Sequence, residues 1–223
     1  MKQIPKGHLP FMYMDKEDFK GKGEKEVPVE KVNIGNNPFL MPMPMVIVGS
    51  HIGERPNFMA VGWASRVNAR PAIMSIAIGR HATADAIRET GEYSINIPSV
   101  DLLKETDLLG IVSGSGFDKS VLFDIFYGSL KKAPMVRQCP VAIECKVIQT
   151  VELPLDILFI GEVMGVWTEE RYLSNGSPDI EKVRPFCLTM PDNRYWSVGN
   201  EVGRAWHDGL ELKGHLPEAA GGT

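Results

Sequence analysis

The sequence predicts a mainly β fold with short α insertions, its sheet closed or nearly closed into a barrel. Three observations carry this. Residues 141–151 and 157–167 read as two long strands separated by Leu153-Pro154-Leu155-Asp156. Strands well above the usual length of about five or six residues suit a barrel better than an open sheet. Residues 57–67 alternate bulky and small side chains with the period of two that a strand imposes. Helical signals are confined to short stretches between strands.

Taken in order, Met45-Val46-Ile47-Val48-Gly49 is a short apolar run rich in β-branched residues, and residues 53–57 form a turn. Along 57–67, Met59, Val61, Trp63 and Val67 share one face, while Ala60, Gly62 and Ala64 share the other. So bare a face lets something flat approach the backbone. Tight packing of a sheet on a helix asks for the same small residues, and both readings stay open. Residues 71–78 read as a third strand, apolar on both faces. A helix is expected from Thr83, its hydroxyl the N-cap, to Gly91, which can take the left-handed turn. Residues 92–97 read as a strand that stops at Pro98, and residues 101–109 as a short helix. Residues 185–210 are aromatic-rich and suit a flap or a helix packed on the barrel.

The 223 residues divide into an N-terminal extension (1–40), a core (41–170) and a C-terminal extension (171–223) packing on the barrel or a dimer partner. The first segment, rich in Lys, Glu, Gly and Pro, is expected to wrap the surface or cross to a partner subunit. The terminal Pro-Glu-Ala-Ala-Gly-Gly-Thr should fray. A hydrophobic share of 43% supplies a substantial core, and a net charge of −4 argues against a broad basic surface for nucleic acid. Without a run of about 18 apolar residues no membrane helix is expected. The opening Met-Lys-Gln-Ile-Pro-Lys-Gly-His has no apolar signal core, which points to the cytoplasm. Cys139, Cys145 and Cys187 form no Cys-x-x-Cys pair and read as reduced thiols, and the five histidines show no metal-binding spacing.

Two motifs offer anion chemistry. Gly79-Arg80-His81-Ala82-Thr83 joins a strand end to a helix start and brings a guanidinium, an imidazole and a hydroxyl beside the free N–H groups of the first turn. A plain capped helix beside a solvated arginine gives the same string. In Ser113-Gly114-Ser115-Gly116-Phe117-Asp118-Lys119, small residues let backbone N–H groups converge and Lys119 adds a point charge. A flexible surface loop reads the same, and the spacing of a nucleotide-triphosphate loop is absent. Paired catalytic carboxylates, a Ser/His/Asp order and a Cys/His pair all lack spacing support.

As an ordered set these residues carry a resemblance. It runs through Pro44-Met45-Val46-Ile47-Val48, Gly53 through Asn57, Val61-Gly62-Trp63-Ala64-Ser65 and Pro71, then Arg80 and Thr83. It continues through Glu92-Tyr93-Ser94-Ile95-Asn96-Ile97-Pro98, Ser113-Gly114 and Asp118-Lys119, and closes with Ala142-Ile143-Glu144-Cys145 and Ile160-Gly161-Glu162-Val163. This set resembles the flavin reductase-like family with the FMN-binding split barrel, and within it the flavoredoxin-like branch. The chain departs from the family at Ala72, at Ser120 and at Gly49-Ser50-His51.

The resemblance implies a homodimer with one FMN per subunit near the interface. It implies that Asn57, Met59, Ala60, Gly62, Trp63, Ala64 and Ser65 line the isoalloxazine. Arg80, His81 and Thr83 would contact phosphate and ribityl, with Ser113 and Lys119 as additions. The implied activity is hydride transfer from NADH or NADPH to FMN, with no side chain needed as acid or base. The alternatives are an electron carrier fed by a redox protein partner, without its own nicotinamide site, and a flavin-storage or sensor module.

Overall fold

The long hairpin forms and becomes the spine of the sheet. The computed structural model describes residues 30–215; the wrapping expected of the N-terminal segment, up to residue 29, and the fraying of the last residues lie outside them. The chain begins with a short strand β1 (Met43–Pro44), then β2 (Val46–Ile52), β3 (Arg55–Val61), β4 (Ala64–Asn68) and β5 (Ile73–Gly79). Helix α1 (Ala82–Thr90), strand β6 (Glu92–Ile97) and helix α2 (Leu103–Ile111) follow. The short strands β7 (Ile125–Phe126) and β8 (Met135–Val136) precede the hairpin of β9 (Val141–Glu152) and β10 (Asp156–Thr168). Beyond it lie β11 (Leu173–Ser174), β12 (Ser177–Pro178), α3 (Ile180–Val183), β13 (Phe186–Thr189) and β14 (Arg194–Ser197).

Seven strands form one antiparallel sheet in the order β3-β2-β6-β9-β10-β5-β4. Its two edges, β3 and β4, are consecutive in sequence and joined only by Gly62-Trp63. The sheet thus curls back on itself and leaves a seam, the split of a split barrel. At the seam the Ala77 N–H donates to the Trp63 carbonyl at 2.9 Å. Inside, Ile76, Ile78, Tyr93, Ile95, Ile157 and Phe159 pack as one buried cluster. Burial of each such side chain stabilises by roughly 1.5–3 kcal/mol. A second cluster of Ile47, Phe58, Leu109 and Phe123 fastens α2 onto β3. There the Phe58 and Phe123 rings meet edge-on, 5.3 Å between centroids.

Glu144, buried in β9, organises the loop after β7. It accepts from the Ser129 N–H (3.1 Å), the Ser129 hydroxyl (3.0 Å) and the Leu130 N–H (2.8 Å). Burial pushes its pKa up, but these donors outweigh burial and hold the carboxyl below its ordinary value.

Several expectations need correction. The strand read over 57–67 is two strands, because the chain crosses the seam at Gly62-Trp63 and changes edge there. The side-chain-poor face is consequently not one surface: Ala60 packs with the Phe58–Leu109 cluster, and Ala64 packs on the barrel interior. The turn after β2 is confined to Gly53-Glu54, with Gly53 at φ 60°, and Asn57 lies within β3 opposite Ser50. Helix α1 starts at Ala82 with His81 at the N-cap, so Thr83 is not the cap; Gly91, at φ 67°, ends it as expected. Residues 185–210 hold no packed α-helix: β13 pairs with β1 on one side and β14 on the other in a three-stranded sheet, from which Leu188 and the following Met190 reach the seam. Among the described residues no helix is long and apolar enough to cross a membrane, and no cluster of three metal-ligating side chains occurs.

Candidate functional site

Two cavities meet at Met59 on edge strand β3. The first, about 400 Å³, lies between the N-terminus of α1, the C-terminal end of α2 and the loop after it. Met59, His81, Thr83, Ser113 and Lys119 line it, as do Ala82, Gly114 and the Leu109–Val112 stretch. Its wall contains no carboxylate. The second, about 180 Å³, occupies the seam between β3 and β5. Its walls are the small residues Ala60, Gly62, Ala77 and Gly79, with Met43 and Leu188 from the three-stranded sheet, Met190 just beyond it, Trp63 alongside and the Asp156 carboxylate at one side. An edge strand also points half of its backbone donors and acceptors away from its sheet. The seam is therefore narrow, largely apolar and edged by peptide groups.

The first cavity has an end rich in hydrogen-bond donors. The N–H groups of Ala84 and Asp85 both bond to the His81 carbonyl, and the His81 N–H bonds to Gly79. The N–H groups of Ala82 and Thr83 have no partner among the described residues, as the first turn of a helix dictates. Gly79 permits this arrangement, because a Cβ there would come within 2.9 Å of the folded-back His81 ring. Lys119, only 4% exposed, donates from Nζ to the Leu109 carbonyl at 2.9 Å, and burial lowers its pKa.

Below the cavity floor, Asn57 is 1% exposed and donates from Nδ2 to Thr83 Oγ1 at 2.9 Å. The Thr83 hydroxyl accepts that bond, so its own proton remains free to donate into the cavity. The Asn57 Oδ1 and the Ser50 Oγ, cross-strand neighbours, are buried without a partner among the described residues. A buried polar atom left unpaired costs about 1–3 kcal/mol. Gly114 sits directly over Asn57 Oδ1, where any Cβ would overlap it.

The loop is held from outside. Arg55 donates to the carbonyls of Gly114 (2.6 Å) and Phe117 (2.9 Å) and lies 3.6 Å from the Asp118 carboxylate. Asp118 accepts from the Ser120 N–H at 3.0 Å and begins the turn that carries Lys119 inward.

The structure brings most of the sequence-derived residues together around the two cavities. Met59, His81, Thr83, Ser113 and Lys119 line the first cavity, and Met59, Ala60, Gly62 and Trp63 the second. Asn57 is a floor residue beneath Thr83. Arg80 does not line either cavity: its guanidinium is tied to the Leu153 carbonyl and to Glu152, both at 3.0 Å. Ser65 is exposed and bonds the Arg66 carbonyl, and Ala64 faces the core, so neither is a wall residue. Sequence reasoning placed Ala82 and Gly114 only within the two anion motifs, and missed the parts played by Arg55 and by the seam pair Ala77 and Gly79. The last two carried a readable signal, small residues two apart on a strand, the same one read along β3.

An antiparallel sheet curled into an open-seamed barrel, with a helix start and a narrow slot beside the seam, defines the chain as a split-barrel protein. It belongs to the flavin reductase-like domain family, whose model matches residues 39–192. The fold is similar to the flavoredoxin of Methanosarcina acetivorans, with a TM-score of 0.81 and 45% identity over 82% of this chain and 99% of that one. It is also similar to the flavoredoxin of Desulfovibrio vulgaris (Miyazaki F), with a TM-score of 0.75 and 33% identity over 81% of this chain and 100% of that one. An uncharacterized protein of Archaeoglobus fulgidus is 30% identical over 64% of this chain and 81% of its own length.

Proposed function

We propose that the chain binds FMN across the two cavities and serves as an NAD(P)H-dependent oxidoreductase of the flavin reductase type. The observation that carries this is the junction at Met59 of a carboxylate-free anion pocket and a narrow apolar seam. A phosphate monoester brings roughly −1.5 to −2 charges at neutral pH. The N–H groups of Ala82 and Thr83, the Thr83 hydroxyl and Lys119 supply donors for it. Each charge-assisted bond is worth about 1.5–3 kcal/mol, so two or three hold the group firmly. The small side chains of Ala60, Gly62, Ala77 and Gly79 leave room for a planar ring between two strands. Trp63, 46% exposed at the mouth of the seam, offers an aromatic surface to an incoming ring.

Bound in this way, FMN supplies the centre that accepts a hydride and passes electrons onward. The residues of the chain bind, orient and exclude water; none of the wall side chains needs to move a proton. Anaerobic mixing of the FMN-loaded protein with NADH or NADPH tests the reading. Bleaching of the flavin absorbance by either nucleotide supports it. Failure of both, with fast reduction by a ferredoxin-type donor, replaces it with the electron-carrier reading.

A further inference from the structure

The wall of the seam carries one charge. Among the described residues that line this cavity of about 180 Å³, Asp156 alone has a charged side chain. It opens β10 at the turn of the long hairpin, where its carbonyl accepts from the Leu153 N–H at 2.9 Å and fixes the backbone. Its cross-strand neighbour is Gly79, which has no side chain to cover it. The residue is partly buried, and its carboxylate has no hydrogen-bond or ion-pair partner among the described residues.

The cations of this neighbourhood are engaged elsewhere. Glu152, earlier on the same hairpin, holds Arg80 at 3.0 Å and also pairs with Arg88, which lies 3.7 Å from Asp85 as well. Arg80 donates besides to the Leu153 carbonyl. Lys119 and the open N–H groups at the start of α1 belong to the other cavity. The two cavities thus differ in sign. One offers donors and a cation, the other a carboxylate without a counter-charge.

A carboxylate placed in this way tolerates a neutral ring and opposes one that gains negative charge. Hydride uptake adds two electrons and one proton, so a neutral ring becomes an anion, while the nicotinamide that gives up the hydride becomes one charge more positive. In a narrow, poorly hydrated slot, two like charges disfavour each other by about tenfold to a hundredfold in an equilibrium constant, after allowance for the carboxylate's partial exposure. Building on the FMN reading above, we propose that Asp156 sets the potential of the bound flavin. Its charge disfavours the reduced ring in the seam and makes the loaded protein a stronger electron donor. The carboxylate acts through its field and neither takes nor gives a proton.

Anaerobic equilibration of the FMN-loaded full chain with a reference redox dye at pH 7 tests it, with dissociation constants for oxidised and reduced FMN measured alongside. Asp156→Asn should favour the reduced over the oxidised form by about tenfold to a hundredfold, a potential about 30–60 mV more positive for a two-electron couple. The gain should lie in tighter binding of reduced FMN, with oxidised FMN little changed. Asp156→Glu keeps the charge and should stay close to the parent. Glu152→Gln removes the same charge from the same hairpin outside the seam, and its ratio should stay within about threefold of the parent. Asp156→Ser supplies a second neutral side chain, so a loading defect peculiar to asparagine does not stop the measurement. An unchanged potential in the neutral variants, or an equal rise in Glu152→Gln, overturns the proposal and leaves the FMN reading standing. A parent that does not load FMN overturns both.

Discussion

The side-chain amide of Asn57 donates to the hydroxyl oxygen of Thr83 at 2.9 Å, tying edge strand β3 to the first turn of α1. Through this bond the barrel fixes the rotamer of a hydroxyl at the anion end of the site and leaves its proton facing outward. Thr83→Val removes that donor and strands the Asn57 amide. Its affinity for FMN should fall by about tenfold to a hundredfold, the value of one charge-assisted bond, while riboflavin affinity changes little. Unfolding free energy should drop by about 1–3 kcal/mol for the unpaired amide. Paired fluorescence titrations and urea melts read the two effects separately.

Lys119 carries its charge in a buried place with one carbonyl partner. Lys119→Met keeps most of the volume and removes the charge. Without flavin, the variant should be as stable as the parent or more so; FMN should bind about tenfold to a hundredfold less tightly. The pH dependence follows from the depressed pKa. Between the folded value and the ordinary 10.5 the unfolded chain holds more protons than the folded one, so the parent gains stability as pH rises through that window. Any stability advantage of the methionine variant should therefore shrink toward pH 10.5, as thermal melts of both proteins would show.

Gly62 faces the seam, where a Cβ would touch Leu188, Met43 and Met45 at an ordinary 3.8 Å. Gly62→Val therefore fits as a fold, yet its two γ-methyls extend into the slot. FMN and riboflavin should both lose binding, with the melting temperature within a few degrees of the parent. Normal loading of either flavin by the folded variant would remove the ring from the seam.

Arg80 is tied to Glu152 and Leu153, away from both cavities. Arg80→Ala should change FMN affinity less than twofold, and stability by no more than about 1 kcal/mol for an exposed pair. A large loss specific to FMN would return this guanidinium to the phosphate.

Glu144 is held below its ordinary pKa by the donors of Ser129 and Leu130. A depressed carboxylate contributes stability above its unfolded pKa of 4.5 and loses it as pH falls through the folded value. Glu144→Gln should cost about 2–3 kcal/mol at neutral pH. The difference from the parent should narrow below pH 4.5, which melts across an acid series would reveal.

The barrel was legible in the sequence where one element carries its own signal. The length of β9 and β10 and the stop at Gly91 needed no distant partner to be read. The site was legible only in part, for physical reasons. Alternation runs through Gly62-Trp63 without a break, because residues on both sides obey the period of two, so the change of sheet edge leaves no trace. Thr83 reads as a cap until Asn57, 26 residues away, claims its oxygen. The free N–H groups of the first turn are read from the helix start, but the close approach of Gly114 to Asn57 involves backbone, which residue identity does not mark. Strands β13 and β14, four residues each and paired to one another beside a two-residue strand, are too short for periodicity to register.

A crystal of the chain soaked with FMN tests the central claim most directly. The account predicts difference density with the phosphate at the N–H groups of Ala82 and Thr83 within reach of Lys119, and the ring between Gly62 and Ala77 in the seam. Density for the mononucleotide elsewhere, with both cavities filled only by water, would contradict it.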